Sequence, residues 1–225
     1  MAAMTETPAS GPGVASRAMR KRERCTAEVR RQAILDAAWE VFLERGYAGA
    51  TIDAVVERAG GSKATVYAQF GNKEGLFVAL VMSGAQDFAA SIEAAASAGT
   101  TFAETLHEIG RRFLGLVLAP ERVALYRLVV AESGRLPEVG DIFYRTGPQS
   151  VQAHLAEFFR AAAARGLVPP LAPEALAVQF LGSVLGDYHF RVLCNPTRSP
   201  TAKEIERHLD FVVPLFLAGA RGPAA

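Results

Sequence analysis

Between Thr51 and Phe77 the apolar positions recur at helical spacing in two short runs divided by Gly60 and Gly61. Ile52, Val55, Val56 and Ala59 fall at i, i+3, i+4 and i+7, which is one face of a helix. Val66 and Phe70 make a second, narrower face. Thr51 and Ser62 each stand just before a run, where a helix N-cap belongs, and Asn72 stands before a third. Helix, glycine turn, helix is the outline of a DNA-binding helix-turn-helix.

The same period extends in both directions. Upstream, Ile34, Ala38, Val41 and Phe42, widened by Leu35 and Trp39, predict a helix from near Thr26 to Arg45-Gly46, with glycine at its C-terminal cap. Downstream, a long helix from Asn72 toward Ala98 breaks at Gly99-Thr100. The next is capped by Thr100 or Thr101, with Glu104 placed for a capping box, and carries Leu106, Ile109, Phe113, Leu116 and Val117. Further helices are predicted over Glu121 to Ser133, Pro148 to Arg165, Pro173 to Leu193 and Thr201 to Leu217. Thr201 with Glu204 repeats the capping box, and Pro214 is expected to kink the last helix. No β-branched alternating runs interrupt this series, so the fold class is all-α.

Charge changes the picture in one place. The net charge over 225 residues is only +1, which excludes a protein that is basic everywhere. From Val14 to Arg31, however, seven basic residues face two acidic ones. Basic character therefore gathers beside the helix-turn-helix. Residues 1–25 are rich in Ala, Gly, Pro, Ser and Thr and then in Arg. Such a segment is expected to be a disordered basic arm, serving either as a solvated tail or as a contact to the DNA backbone. The two cysteines, Cys25 and Cys194, lack metal spacing and read as free thiols of a cytoplasmic protein. No apolar run reaches the roughly 18 residues that span a bilayer, and residues 1–20 lack a signal-peptide core. No membrane partner is expected.

Advancing about 100° per residue from Ser62 divides the second short helix into two sides. Val66 and Phe70 point inward. Ala64, Thr65 and Ala68 point outward, with Tyr67 and Gln69 on the flanks. Two alanines let a helix lie close to a groove floor, and threonine can bond a base edge or touch a thymine methyl. Tyr67 and Lys63 suit phosphate oxygens. Asn72 caps a helix whose first amides, with Lys73, suit another phosphate.

Ala59-Gly60-Gly61-Ser62-Lys63-Ala64-Thr65-Val66-Tyr67, with Phe70, Lys73-Glu74, Leu76-Phe77 and the preceding Gly46-Tyr47-Ala48-Gly49-Ala50-Thr51-Ile52, resembles the recognition segment of TetR-family transcriptional regulators. The resemblance covers roughly residues 27–77. Gly61 replaces the usual aliphatic residue of the turn, and Gln69 stands where an aromatic residue or histidine is common. A second stretch, Arg127 to Glu138 followed by Phe143-Tyr144 and Gly147-Pro148, resembles the body of the AefR-like branch.

These resemblances imply a helix-turn-helix domain over residues 26–71, a helical ligand-binding and dimerisation body over 72–218, and a tail over 219–225. They imply operator DNA as a partner, contacted through Thr51, Ser62, Lys63, Ala64, Thr65, Tyr67, Gln69 and Lys73. A homodimer would form through the last two helices, with Gly182, Gly186, Leu209, Val212, Leu215 and Phe216 at the interface. A body cavity for a small, largely apolar effector would be lined by residues such as Phe88, Phe113, Tyr126, Tyr144, Phe180 and Tyr188.

No catalytic constellation competes with this reading. His107, His154, His189 and His208 lack paired-ligand spacing, and Asp187 and His189 point apart on a helix. No metal or cofactor is expected. Two alternatives stay open on sequence: an interaction protein whose headpiece is unused, and an activator in place of a repressor.

Overall fold

A computed structural model describes the backbone of residues 12–220 and the side chains of residues 27–220. Among the described residues it is wholly helical. Three helices form the headpiece: α1 (Pro12–Gly49), α2 (Ile52–Ala59) and α3 (Lys63–Phe70). The body comprises α4 (Lys73–Ala96), α5 (Phe102–Val117), α6 (Pro120–Ser133), α7 (Pro137–Thr146), α8 (Pro148–Ala164), α9 (Pro173–Leu185), α10 (Tyr188–Cys194) and α11 (Ala202–Ala220).

The caps act where the sequence puts them. Thr51, Ser62 and Asn72 accept from the amides of Ala54, Thr65 and Gly75 at 3.2, 3.2 and 2.8 Å. Both Thr101–Glu104 and Thr201–Glu204 close reciprocal capping boxes. Proline occupies the first turn of α6, α7, α8 and α9, where its missing N–H costs nothing.

Three expectations about helix boundaries need correction. The first helix begins at Pro12, well before Thr26; the arm's residues 1–11 lie outside the described residues, as do the side chains of Arg17 to Arg24. Residues 137–146 form α7, a helix outside the expected series. The helix expected from Pro173 to Leu193 is two: Gly186, at φ 51° and ψ −136°, ends α9, and α10 follows. Only glycine adopts that backbone without strain. At Pro214, α11 runs on to Ala220.

The apolar residues form two buried clusters, and α4 is the spine of both. Leu76, Phe77, Leu80 and Val81 join Phe42, Tyr47, Val55, Val66 and Phe70 in the first. Tyr47 stacks on Phe42, and Phe77 meets both rings edge-on. Trp39 packs half-buried against this cluster. Crucially, Leu125 and Val129 of α6 and Val139 and Ile142 of α7 belong to it too. The headpiece thus shares a core with the body across residues 71–72. Ala85, Phe88, Ile92 and Ala95 carry α4 into the second cluster, with Phe113, Leu155, Phe159, Phe180 and Leu209. Each such fully buried large side chain contributes roughly 1.5–3 kcal/mol.

By length and mean hydropathy (1.4), α4 is also long and apolar enough to cross a membrane, which corrects the expectation that no such segment exists. Half of that window is buried inside the protein, as the spine of two cores must be.

Candidate nucleic-acid interface and body cavity

The headpiece holds α3 by one side. Val66 and Phe70 are 2% and 8% exposed, and the Arg31 guanidinium lies 4.6 Å from the Phe70 ring centre. The opposite side is open. Ser62, Lys63, Ala64, Tyr67, Ala68 and Gln69 are exposed and Thr65 is half-buried. Tyr67 presents 51% of its surface to solvent. The turn between α2 and α3 has Gly60 at φ 71° and Gly61 at φ 104°. A Cβ at either would meet no atom within 4 Å, so backbone conformation, not space, calls for glycine at both.

Polar partners refine the expected DNA contacts. Thr51 and Ser62 are exposed but serve as caps, and Ser62 Oγ also shares a hydrogen bond with Thr65 Oγ1 at 3.0 Å. Lys63 Nζ pairs with Asp53 Oδ1 at 2.7 Å on the surface; that hydrogen bond raises the lysine's pKa, so its charge is secure. Lys73 is committed inward. Its Nζ donates to the carbonyls of Tyr47 and Ala48 at 2.9 and 3.3 Å and sits 4.7 Å over the Tyr47 ring. Asp53 and Arg31 were not anticipated, because they act only through residues far away in sequence.

The body holds a cavity of about 400 Å³, open on one side, lined from α4 through α10 chiefly by apolar side chains. Of the six aromatic residues expected there, Phe113 and Tyr126 line it. Phe88, Phe180 and Tyr188 are instead packed in the second core, and Tyr144 is 53% exposed. Phe143, its neighbour on α7, lines the cavity and meets Tyr126 edge-on. Three polar residues line it too: Arg122, Gln152 and His189. His189 packs edge-on against Tyr126, and burial lowers its pKa. The sequence offered no signal for these three, since single polar residues on amphipathic helices look like surface.

The residues expected at a dimer interface divide similarly. Leu209 and Val212 are buried in this chain's own core, and Phe216 packs against Phe159 and Phe180. Gly186 ends α9 beside His208. Gly182 is exposed and borders the cavity. Leu215 is exposed, in line with Phe211 on α11, while Val178 and Phe190 are exposed on α9 and α10.

Among the described residues no group of His, Cys, Asp and Glu is arranged to hold a metal ion. Cys194 is exposed and unbridged.

Comparison with known proteins bears on both halves. Residues 34–80 match the family model of bacterial regulatory proteins of the tetR family. Residues 104–219 match that of the C-terminal domain of AefR-like transcriptional repressors. The HTH-type transcriptional repressor AcnR of Corynebacterium efficiens is 40% identical over 62 residues, 28% of this chain and 33% of that one. The chain thus spans about a third of the length of curated relatives of this kind. A TetR-family transcriptional regulator from Mesorhizobium loti superimposes with a TM-score of 0.71 at 29% identity, covering 85% of this chain and 96% of its own. The flavonoid-responsive regulator FrrA gives 0.68 at 29% identity, over 88% and 100%.

Proposed function

The chain belongs to the TetR family of transcriptional regulators, and from that premise we propose that it is a homodimeric repressor released from its operator by a small molecule bound in the body. The observation that carries this reading is the two-sidedness of α3: Val66 and Phe70 clamp it while Ala64, Thr65, Tyr67 and Gln69 face outward. The outward side is low in profile and lies flat in a major groove. Thr65 reads a base edge, and Tyr67 and Lys63 take phosphates, Lys63 by exchanging its Asp53 partner for the backbone. Lys73 orders the headpiece by holding the last turn of α1.

Two heads reading a palindrome need a twofold axis. The exposed apolar residues Val178, Phe190, Phe211 and Leu215 supply a surface for it. The effector reading rests on the cavity and on α6, whose side chains reach both cavity and headpiece core. FrrA is described as flavonoid-responsive; here Phe113, Tyr126 and Phe143 suit an effector with an apolar or aromatic body. Binding shifts the population between two head spacings, by no more than the effector's differential affinity for them. Such a protein works on chromosomal DNA in the cytoplasm.

Replacing Lys63 and Tyr67 together with alanine should abolish gel retardation of the DNA flanking its gene. Dimer mass and helicity should stay the same. Unchanged DNA affinity in that variant would reject the assignment of α3.

A further inference from the structure

The cavity contains one charged side chain that its apolar walls leave unexplained. Arg122 reaches across from α6 to α4, where Nη1 donates to the Leu80 carbonyl and Nη2 to Ser83 Oγ, both at 3.2 Å. A guanidinium carries five N–H donors, so three are left over. Among the described residues no carboxylate forms an ion pair with it, although Arg58, Arg111, Arg112 and Arg160 all pair with glutamates. Asp87 and Glu121 act on it only at longer range, and burial pulls its pKa below the ordinary arginine value. Arginine nevertheless stays charged.

The chain makes room for this group. Gly84 lies on α4 under the guanidinium, and a Cβ there would come within 2.8 Å of Cζ and 2.9 Å of both Nη atoms. A side chain at that position would therefore push Arg122 aside. Neutral ligands would bury the cation further without compensating it, which is strongly unfavourable. An anion would relieve that cost. The planar fork suits the two oxygens of a carboxylate. Among the described residues Arg122 is the only arginine or lysine that lines the cavity, so a single negative charge is matched.

We propose that the cavity takes an amphipathic organic monoanion, a carboxylate whose head pairs with Arg122 and whose apolar or aromatic body lies along Phe113, Tyr126 and Phe143. This rests on the effector reading above and names its ligand class. Occupancy at Arg122 bears on DNA because Leu125 and Val129, further along α6, sit in the headpiece core.

The test uses the full-length protein with decanoate and phenylbutyrate, each compared with its methyl ester and the matching primary amine. Binding is followed by calorimetry and release of flanking DNA by gel retardation. At least one acid should bind, roughly tenfold or more tighter than its ester, the return on one buried charge-assisted pair. Arg122→Gln should bring that acid to the level of its ester, and Arg122→Lys should restore part of the preference. Gly84→Ala, which keeps the arginine but displaces it, should also lower the preference and serves if Arg122→Gln fails to fold. Equal binding of acid and ester, tighter binding of the amine, a preference that survives Arg122→Gln, or no binding by either acid overturns the assignment. An acid that binds without altering DNA affinity upholds the anion site and removes the effector reading. An ester that releases DNA as well as its acid does the reverse.

Discussion

The carboxylate of Glu132, near the end of α6, lies directly against Gly46, where α1 gives way to its final turn; a Cβ built on that glycine would overlap Oε1. The contact closes the joint between body and headpiece from outside, while Leu125 and Val129 close it from within. Arg127, also on α6, donates to the carbonyls of Val192 and Leu193 at 3.0 and 2.7 Å, tying the same helix to the end of α10. One helix thereby touches the headpiece, the cavity and the element that carries Phe190.

Gly46→Ala tests the joint. At φ 70° and ψ 173° the backbone is in a region left almost wholly to glycine, and the new methyl also meets Glu132. Stability should fall by about 1–3 kcal/mol, read as a lower urea midpoint. DNA affinity should drop further than this loss accounts for. A second variant, Gly46→Ala with Glu132→Ala, should recover the part due to overlap and retain the part due to φ.

Lys63 on α3 and Lys73 at the start of α4 should behave differently. Lys73→Met removes two donations to backbone carbonyls and should cost about 1–3 kcal/mol of stability. Lys63→Ala breaks an exposed ion pair and should change stability by less than about 1 kcal/mol. It should instead weaken DNA binding and lower the slope of log affinity against log salt by about 1. Urea denaturation and binding titrations at several salt concentrations separate the pair.

His189 makes stability depend on pH. Burial holds its folded pKa below the ordinary 6.5, so between those two values the unfolded chain binds more protons. Its contribution is fully present above 6.5 and is lost as pH falls from there through the folded value. Thermal midpoints should decline over that window. His189→Phe should flatten the decline while leaving stability at neutral pH within about 1.5 kcal/mol.

The exposed apolar stripe should be sensitive to charge. Phe211 and Leu215 are 67% and 60% exposed, so Phe211→Glu with Leu215→Glu should leave the fold of each chain intact. Sedimentation should then report a monomer, and operator affinity should fall by about 2 kcal/mol or more.

Much of the headpiece was legible in the sequence because its signals are local. Thr51, Ser62 and Asn72 cap helices that begin on the next residue, and the apolar period of α2 reads off directly which side is buried. Pro148 and the two capping boxes mark helix starts for the same reason. The break at Gly186 was not legible, since a glycine inside an apolar run is equally a helix residue or a stop; the backbone at φ 51° decides it. Nor was α7, a short helix in which only Val139 and Ile142 are fully buried.

The residues alone determined an all-helical chain and which side of α3 faces out, because both follow from period and caps within a few positions. Tertiary structure decided what long-range packing decides: that Lys73 turns inward to Tyr47, that Leu209 and Val212 fill this chain's own core, and that Arg122 ends beside Gly84 without a carboxylate. Each of these depends on groups brought together from 26 to well over 30 residues apart, a distance across which hydrophobic pattern carries no information about partners.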